Sequence, residues 1–377
     1  MKQLTLGIVL LALTIACNPP KTTEMENPSK AYSFLVGTYT DQEDQGINLL
    51  RFNPDSNLFA VKLIAPGVKN PSFVISNKAE NLVFALEEDM SQTGGRVMTF
   101  SKVGDKLIPI DTIPSYGDHP CYLALSPNEE FLAVGNYTGG NLSFFKLDKE
   151  NKLEYLQTIQ HEGFSVNTDR QEKAHVHSTV FSPDGKYLIV ADLGTDKIYT
   201  YTIDSSKESP LELVSEYEVI KGDGPRHLAF SSDGKTVFAV QELTANLEIL
   251  DFSEGKLNSR QRLSMLEEGF PGGVGAAEVR LSPNGENVYV SNRGEANTIS
   301  VFGKNESGSY KLIQVISSGG LMPRNFNLTS DGKYLLCAHQ ASNGIVVFER
   351  NTDSGLLSPT AWKVAIHKPV YLFPLLN

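Results

Sequence analysis

The sequence predicts an all-β fold, a seven-bladed β-propeller whose ring is closed by pairing of the N- and C-terminal strands. Three observations predict it. A motif of two short apolar strands joined by a turn such as "SPDG" or "SSDG" recurs along the chain. Its copies are spaced by about 50 residues, enough for one four-stranded blade each. A further copy is split between the two ends of the chain.

Six copies of the motif are complete, and each has an apolar strand, a turn and a second alternating strand. Glycine supplies the positive φ that such turns need, and Asp and Asn tolerate it. We call the start of each first strand position zero. These starts are Pro71, Pro120, Val176, Pro225, Ala276 and Pro323. A third strand usually follows, as in "KIYTYTID" and "GIVVFER".

The seventh copy uses both ends of the chain. The C-terminal "HKPVYLFPLLN" supplies a first strand that starts at Pro369, and the N-terminal "SFLVGTYTDQEDQGINLLRFN" supplies a second and a third strand. Pairing these segments leaves no open sheet edge at the junction. We therefore expect residues 31–377 to form one propeller domain with no helix of consequence.

The first 30 residues indicate export. Residues 1–17, "MKQLTLGIVLLALTIAC", have a lysine, an apolar run and small residues before Cys17, which is typical of a signal peptide. "LTIAC" resembles the lipobox of bacterial lipoproteins, although Leu13 lies four residues before the cysteine instead of three. Residues 18–30 are polar and proline-rich, as in a flexible tether. We expect a periplasmic or cell-envelope lipoprotein that is lipidated at Cys17, with plain secretion as the alternative.

Composition narrows the choice of partners. The formal net charge of −11 argues against nucleic acid, which needs a face rich in Lys and Arg. A small anion is not excluded, because a few arginines in a pocket can override the global charge. Apart from a lipid anchor, no membrane contact is expected. Cys121 and Cys337 lie in non-adjacent repeats, so we expect two free, buried thiols.

The repeat predicts where side chains gather. Because the second strand returns antiparallel to the first, positions +1 and +17 lie at the same end of each hairpin, around one mouth of the central channel. Position +1 carries Ser72, Cys121, His177, Arg226, Ala277, Arg324 and Val370, and position +17 carries Tyr39, Glu88, Tyr137, Leu193, Glu242, Arg293 and Gln340. A polar mouth of this kind is the default site in a ring-shaped fold.

Histidines are concentrated near the same positions. Six of the seven fall within two residues of position zero or at +16; these are His119, His175, His177, His227, His339 and His367. Asp192 also occupies position +16. Strand alternation predicts that His175 and His177 share a face.

The motifs "VGTYT", "HVHS", "GPRH" and "SNRG" and the closing strand resemble the seven-bladed propeller lactonases, which include propeller-type 6-phosphogluconolactonase and carboxy-muconate cyclase. The resemblance spans residues 31–377, but "SPDGKYL" is common to many propellers. "HVHS" and "GPRH" followed by Glu242 are more specific. The resemblance implies a catalytic set of His177, Arg226, Glu242 and Arg293. Ala174 stands where the family has proline before its HxH motif.

The resemblance implies a lactone hydrolase that acts on a sugar-derived lactone or anionic sugar acid without metal or cofactor. Arg226 and Arg293 could polarise the carbonyl or bind an anion in a bidentate fork. Glu242 or His177 could take the proton from water. A purely structural histidine and a bracing Arg226–Glu242 ion pair are the alternatives.

Four further residues are candidates for substrate binding, namely His175, Asp192, Arg324 and His339. His175 and His177 could instead bind a metal, although no zinc spacing pattern accompanies them. Asp192 could be a strand-end hydrogen bonder, and Arg324 could brace a blade. A propeller that binds a ligand without catalysis and a muconate-cyclase-like lyase are the alternative functions, since propellers host many activities. The sequence does not indicate an oligomeric state.

Overall fold

The computed structural model describes residues 31–56, 58–90 and 94–376. They form seven four-stranded antiparallel sheets, which are the blades of a propeller. The predicted all-β, seven-bladed fold is therefore confirmed. In the described part of the chain no helix is long and apolar enough to cross a membrane. Cys17, the signal peptide and the tether lie outside the described residues.

Each blade contributes one strand to each of four concentric positions. The innermost strands are β4 (Val74–Ser76), β8 (Pro120–Leu125), β12 (Val176–Phe181), β16 (Pro225–Phe230), β20 (Ala276–Leu281), β24 (Pro323–Leu328) and β28 (Pro369–Leu375). The second strands are β1 (Tyr32–Thr38), β5 (Leu82–Glu87), β9 (Phe131–Asn136), β13 (Tyr187–Asp192), β17 (Thr236–Gln241), β21 (Asn287–Asn292) and β25 (Tyr334–His339). The third strands are β2 (Gly46–Asn53), β6 (Arg96–Val103), β10 (Asn141–Leu147), β14 (Lys197–Ile203), β18 (Asn246–Ser253), β22 (Thr298–Lys304) and β26 (Gly344–Arg350). The outermost strands are β3 (Leu58–Pro66), β7 (Lys106–Pro114), β11 (Leu153–Gln160), β15 (Leu211–Glu218), β19 (Lys256–Ser264), β23 (Tyr310–Ser317) and β27 (Leu357–Ala365).

The chain ends close the ring as predicted. β28 starts at Pro369 and pairs with β1, with Leu35 opposite Phe373 and Val36 opposite Leu372. β2 and β3 complete this sheet in the order β28-β1-β2-β3. The N-terminal segment thus supplies the second and third strands, and also the outermost one.

Apolar side chains form seven cores, each lying between two neighbouring blades. One core joins Phe34 and Val36 of β1 to Leu336 and Ala338 of β25. Each fully buried side chain of this size contributes about 1.5–3 kcal/mol. These cores hold the blades face to face and leave the innermost strands around a central channel. Cys121 and Cys337 are buried and unpaired, as predicted.

The propeller has two different faces. The turns between first and second strands lie on one, which we call the turn face. The Tyr32 hydroxyl donates to Asp331 Oδ2 of such a turn at 2.7 Å, so β1 begins on the turn face. Connections between blades lie on the opposite face, where the predicted mouth opens.

Candidate active site

A cavity of about 450 Å³ opens at the mouth. Position +1 supplies Cys121, His177 and Arg324 to its wall, and position +17 supplies Tyr39, Glu88, Tyr137, Glu242 and Arg293. The repeat register thus located side chains that lie far apart in the sequence. Arg226, the remaining polar group of the predicted catalytic set, is only 1% exposed and lies behind Glu242.

A recurring irregularity of the innermost strands aims the position +1 side chains. The pairing of β12 with β13 shifts by one residue between Val176 and Ser178, which leaves His177 as the extra residue of a bulge. The same shift brackets Cys121 in β8 and Arg324 in β24. Bulges re-aim side chains and are common next to active sites. Here they direct position +1 into the cavity.

Three arginines surround the carboxylate of Glu242. Arg226 Nε and Arg293 Nη2 each lie 3.0 Å from its Oε2 atom. Arg170 Nη2 donates to its Oε1 atom at 2.6 Å. Burial alone would raise the pKa of Glu242, but Arg293, Arg226 and Arg170 lower it to about 2. Glu242 is therefore a permanent anion that organises the arginines, and it is poorly suited to be a general base at neutral pH.

Arg226 supports this cluster from below. Its Nη1 atom donates to the carbonyl oxygen of Ala277 at 2.6 Å. Burial, together with Arg293 and Arg324, lowers the pKa of Arg226 to about 9, which leaves the guanidinium charged at neutral pH. The bracing ion pair with Glu242 is present, and it also sets the charge of the site.

His177 faces the cavity as a buried imidazole. Burial, followed by the charges of Arg226 and His227, lowers its pKa well below the ordinary 6.5. The ring is therefore neutral at pH 7 and can accept a proton. Cys121 Sγ lies 3.9 Å from His177 Nδ1. Burial raises the pKa of Cys121 to about 12, so this thiol is not a ready nucleophile.

Arg324 forms the opposite wall of the cavity. Its guanidinium carbon lies 5.5 Å from the centre of the Tyr39 ring. The Tyr39 hydroxyl donates to Glu88, with both carboxylate oxygens 3.0 Å away. No carboxylate of the described residues lies within 4.0 Å of the guanidinium nitrogens of Arg324. Arg324 thus offers the cavity a positive charge that forms no direct ion pair with a carboxylate of the described residues.

A buried polar layer closes the channel beneath the cavity. Glu278 Oε1 lies 3.2 Å from His227 Nδ1, and Glu278 Oε2 lies 3.5 Å from Arg280 Nη2. Asn325 also donates to this carboxylate. The His227 ring stands edge-on to that of His177, with ring centres 5.3 Å apart. These contacts place a buried, hydrogen-bonded polar cluster directly against His177.

Asp192 and His339, predicted to bind substrate, do not line the cavity. Both occupy position +16, whose side chains point to the opposite strand face from position +17. Asp192 is fully buried and accepts bonds from the backbone amides of His175, Gly194 and Thr195. His339 is 1% exposed, and neither ring nitrogen has a hydrogen-bond partner among the described residues. These two residues lie outside the wall of the cavity, so their predicted contact with substrate has no support from its geometry and stays a prediction.

His175 is also outside the cavity. Its Nδ1 atom lies 3.0 Å from the carbonyl oxygen of Tyr137 and its Nε2 atom lies 3.1 Å from Glu172. His175 stacks on the Tyr137 ring, whereas His177 meets that ring edge-on. The bulge at His177 breaks the alternation, so the two histidines do not form a matched pair. The described residues contain no group of three His, Cys, Asp or Glu side chains placed to hold a metal ion.

Three residues of the wall lie outside positions +1 and +17, and only His119 had been noted, as one of the histidines near the mouth. They are His119, Thr138 and Arg170. His119 Nδ1 lies 2.7 Å from the Thr138 hydroxyl. His119 precedes position zero by one residue, and Thr138 follows position +17 by one residue. Arg170 lies in the long connection before β12, where the repeat has no counterpart. No signal in the register could have found it.

A second cavity, of about 470 Å³, lies on the turn face between the β16–β19 and β20–β23 blades. Two of its cationic side chains form ion pairs, since Arg260 Nε lies 3.4 Å from Asp251 and Lys304 Nζ lies 3.8 Å from Glu286. It contains no histidine, no cysteine and no buried ion pair. The chemistry therefore points to the mouth.

Comparison with known proteins defines the class of this fold and site. Residues 33–374 match the sequence model of the family described as lactonase, 7-bladed beta-propeller. The chain belongs to this family of propeller lactonases.

Three similar proteins illustrate the family. The solved structure of the periplasmic gluconolactonase of Pseudomonas aeruginosa is 30% identical with a TM-score of 0.86, and the match covers 92% of this chain and 99% of that one. A candidate 6-phosphogluconolactonase of Bacteroides fragilis is 31% identical with a TM-score of 0.84, covering 95% of this chain and 100% of the other. An uncharacterized protein of Staphylococcus epidermidis is 30% identical, covering 86% of this chain and 94% of its own length.

Proposed function

We propose that this protein hydrolyses a sugar-derived lactone at the mouth of the propeller. The observation that carries the proposal is that the imidazole of His177 shares one cavity with three arginines and only two carboxylates. The arginines are Arg170, Arg293 and Arg324, and the carboxylates are Glu88 and Glu242. A cavity of about 450 Å³ is large enough for a monosaccharide lactone. The net positive charge of the mouth favours the oxyanion that forms during ring opening.

Each step of the reaction has a candidate residue. His177 accepts a proton from a water molecule as that water attacks the lactone carbonyl carbon. Arg170, Arg293 or Arg324 stabilises the negative charge that develops on the carbonyl oxygen. The tetrahedral intermediate then collapses, the ring C–O bond breaks, and the leaving ring oxygen takes the proton back from His177. One lactone and one water give one hydroxy acid, and Glu242 stays ionised throughout.

The substrate class rests on the relatives and on the chemistry of the mouth. Proteins similar over nearly the whole chain are described as a gluconolactonase and a candidate 6-phosphogluconolactonase. An aldonolactone, phosphorylated or not, fits both descriptions. If the leader exports the protein, the unphosphorylated form is the one it meets, because sugar phosphates are normally intracellular.

We also propose that the protein acts outside the cytoplasm, tethered through Cys17. The periplasmic gluconolactonase of Pseudomonas aeruginosa is consistent with this placement. β1 begins on the turn face, so the described chain starts on the side opposite the mouth. The cavity would then stay accessible to a diffusing lactone. Globomycin-sensitive processing of the leader in intact cells, followed by detection of the lipid on Cys17, tests this.

A panel of lactones tests the activity. Wild-type protein is titrated in a pH-stat with glucono-1,5-lactone, 6-phosphogluconolactone and simple aliphatic lactones, each corrected for spontaneous hydrolysis. Enzymatic acid release from a sugar lactone supports the proposal. Binding of sugar acids without any acid release would instead favour a ligand-binding propeller. Turnover restricted to an unsaturated dicarboxylate would favour the lyase.

A further inference from the structure

The long connection between β11 and β12 borders the mouth. We call residues 161–175 the strap; they contain neither helix nor strand. Connections of this length without secondary structure are uncommon in compact domains and are usually functional. Arg170 is the strap residue that reaches the wall of the cavity. The question is what fixes it there and what it binds.

One carboxylate holds both ends of the strap. Asp192 Oδ2 lies 2.9 Å from His161 Nδ1, and its Oδ1 atom accepts the backbone amide of His175 at 2.7 Å. Gly194 lets the strap pass closely, since a Cβ atom there would lie 1.8 Å from the carbonyl oxygen of Lys173. The buried Asp192 thus fixes both ends of the strap and does not line the cavity.

A second buried aspartate holds the middle of the strap. Gln171 is fully buried and donates to Asp196 Oδ1 at 2.7 Å and to the carbonyl oxygen of Leu193 at 2.9 Å. Ser165 donates to the other oxygen of Asp196. The carbonyl oxygen of Asn167 accepts the amides of residues 170 and 171 at 3.2 and 2.7 Å. The backbone beside Arg170 is therefore fixed on both sides.

The side chain of Arg170 is less confined than its backbone. It is 43% exposed, whereas Arg293 and Arg226 are 10% and 2% exposed. Its Nη2 atom donates to Glu242 at 2.6 Å and to the Tyr137 hydroxyl at 3.3 Å. Its Nε and Nη1 atoms have no acceptor among the described residues. Of the three arginines on Glu242, Arg170 is the most exposed, so it can turn part of its guanidinium to a ligand with the least rearrangement.

We propose that Arg170 binds the carboxyl end of the substrate, and that the strap exists to deliver it. In the lactone this end is the carbonyl oxygen, and in the ring-opened acid it is the carboxylate, which a guanidinium binds through two parallel bonds. The inference rests on the proposed hydrolysis, because it assigns a residue to the group that this reaction creates. Arg170 is then a substrate-binding residue that the sequence repeat does not encode.

Affinity for the product acid tests the role of Arg170. Binding of gluconate and of 6-phosphogluconate is measured by titration calorimetry for wild type, Arg170→Gln and Arg51→Gln. Arg51 is the matched control, since it is 44% exposed and pairs with Asp105 far from the mouth. We expect Arg170→Gln to weaken acid binding about tenfold or more and to lower kcat/KM for the lactone similarly, while Arg51→Gln resembles wild type. Unchanged affinity in Arg170→Gln would overturn the inference.

The same titration separates this inference from the proposed function. Gluconate binding that depends on Arg170 in a protein that hydrolyses no lactone would sustain the inference and defeat the hydrolase. Lactone hydrolysis by a protein whose acid binding is unaffected by Arg170→Gln would support the hydrolase and overturn the inference. A wild type that binds neither acid would overturn the inference.

A second variant tests delivery by the strap. Gln171→Ala keeps the Arg170 side chain in the sequence. It removes the hydrogen bonds that the neighbouring Gln171 donates to Asp196 and to the carbonyl oxygen of Leu193. We expect faster amide hydrogen exchange in residues 161–175 and weaker gluconate binding in the same protein. Faster exchange with undiminished binding would show that Arg170 does not depend on the strap for its position.

Discussion

Arg226 Nε lies 3.0 Å from Glu242 Oε2, and the two side chains are 2% and 4% exposed. The pair links the first and second strands of one blade at positions +1 and +17. Because it is buried, neither charge can be solvated if its partner is removed. The same carboxylate also holds Arg293 and Arg170. Loss of the Arg226–Glu242 contact should therefore change both the stability of the mouth and its charge.

Removing the charge of Arg226 should destabilise the fold as well as the site. We expect Arg226→Met to lower the free energy of unfolding by about 1–3 kcal/mol, because the Ala277 carbonyl loses its charged donor while Glu242 keeps Arg293 and Arg170 as partners. Equilibrium denaturation in urea measures this, with Arg51→Gln as a surface control. A change as small as that of the control would mean that the pair contributes little to the fold.

The activity should persist on the acid side of neutrality. Since the pKa of His177 lies well below 6.5, the imidazole stays deprotonated in the free protein at pH 6.5. The acid limb of the kcat/KM profile should therefore have its midpoint below pH 6.5, which pH-stat and buffered assays can locate. A midpoint above that value would indicate a base other than the buried His177.

Stability should fall as the pH is lowered below 6.5. Burial, with Arg226 second, lowers the pKa of His227 to about 4, and burial lowers that of His339 to about 4. Between pH 6.5 and 4 the unfolded chain binds protons that the folded chain does not, so folding loses about 1.4 kcal/mol per pH unit for each such histidine. Below pH 4.5 the carboxylates Glu242 and Glu278, with pKa values of about 2, add to the loss.

Urea midpoints at pH 7.5, 6 and 5 measure this slope. His339→Leu should flatten it, since it removes one proton-binding site that only the unfolded chain can use. A slope that is the same in the variant would show that His339 takes up its proton equally in both states.

Arg324 should govern the binding of anions at the far side of the mouth. It forms no direct ion pair with a carboxylate of the described residues, so Arg324→Gln should weaken 6-phosphogluconate binding about tenfold with little change in the unfolding midpoint. Arg324→Lys should retain part of the affinity. If Arg324→Gln binds the anion normally but unfolds more easily, the residue only braces the blade against Tyr39.

The periodic part of the molecule could be predicted from the sequence. The repeat fixed the blade count, the closure at Pro369 and the mouth positions, because a residue's place in a blade follows from its distance to position zero. Asp192 and His339 lie at position +16, one residue before the wall position +17. Because side chains alternate between the two faces of a strand, theirs point away from the cavity. The bulges after position zero likewise have no sequence signature.

The non-periodic part could not be predicted. Arg170 enters the mouth from a strap held by tertiary hydrogen bonds to Asp192 and Asp196, and no repeat register describes such a segment. The role of Glu242 depends on three arginines from three separate segments. Sequence motifs suggested an acid–base residue, whereas the assembled charges hold it ionised. The candidate base that remains is His177.

Proton transfer to His177 is tested by comparing wild type with His177→Gln on the best lactone of the panel. We expect kcat to fall by about 10²–10⁴-fold, because the proton acceptor is gone, while binding of the ring-opened acid and the urea midpoint at pH 7.5 stay close to wild type. A His177→Gln variant that folds and hydrolyses the lactone at the wild-type rate would contradict this role of His177.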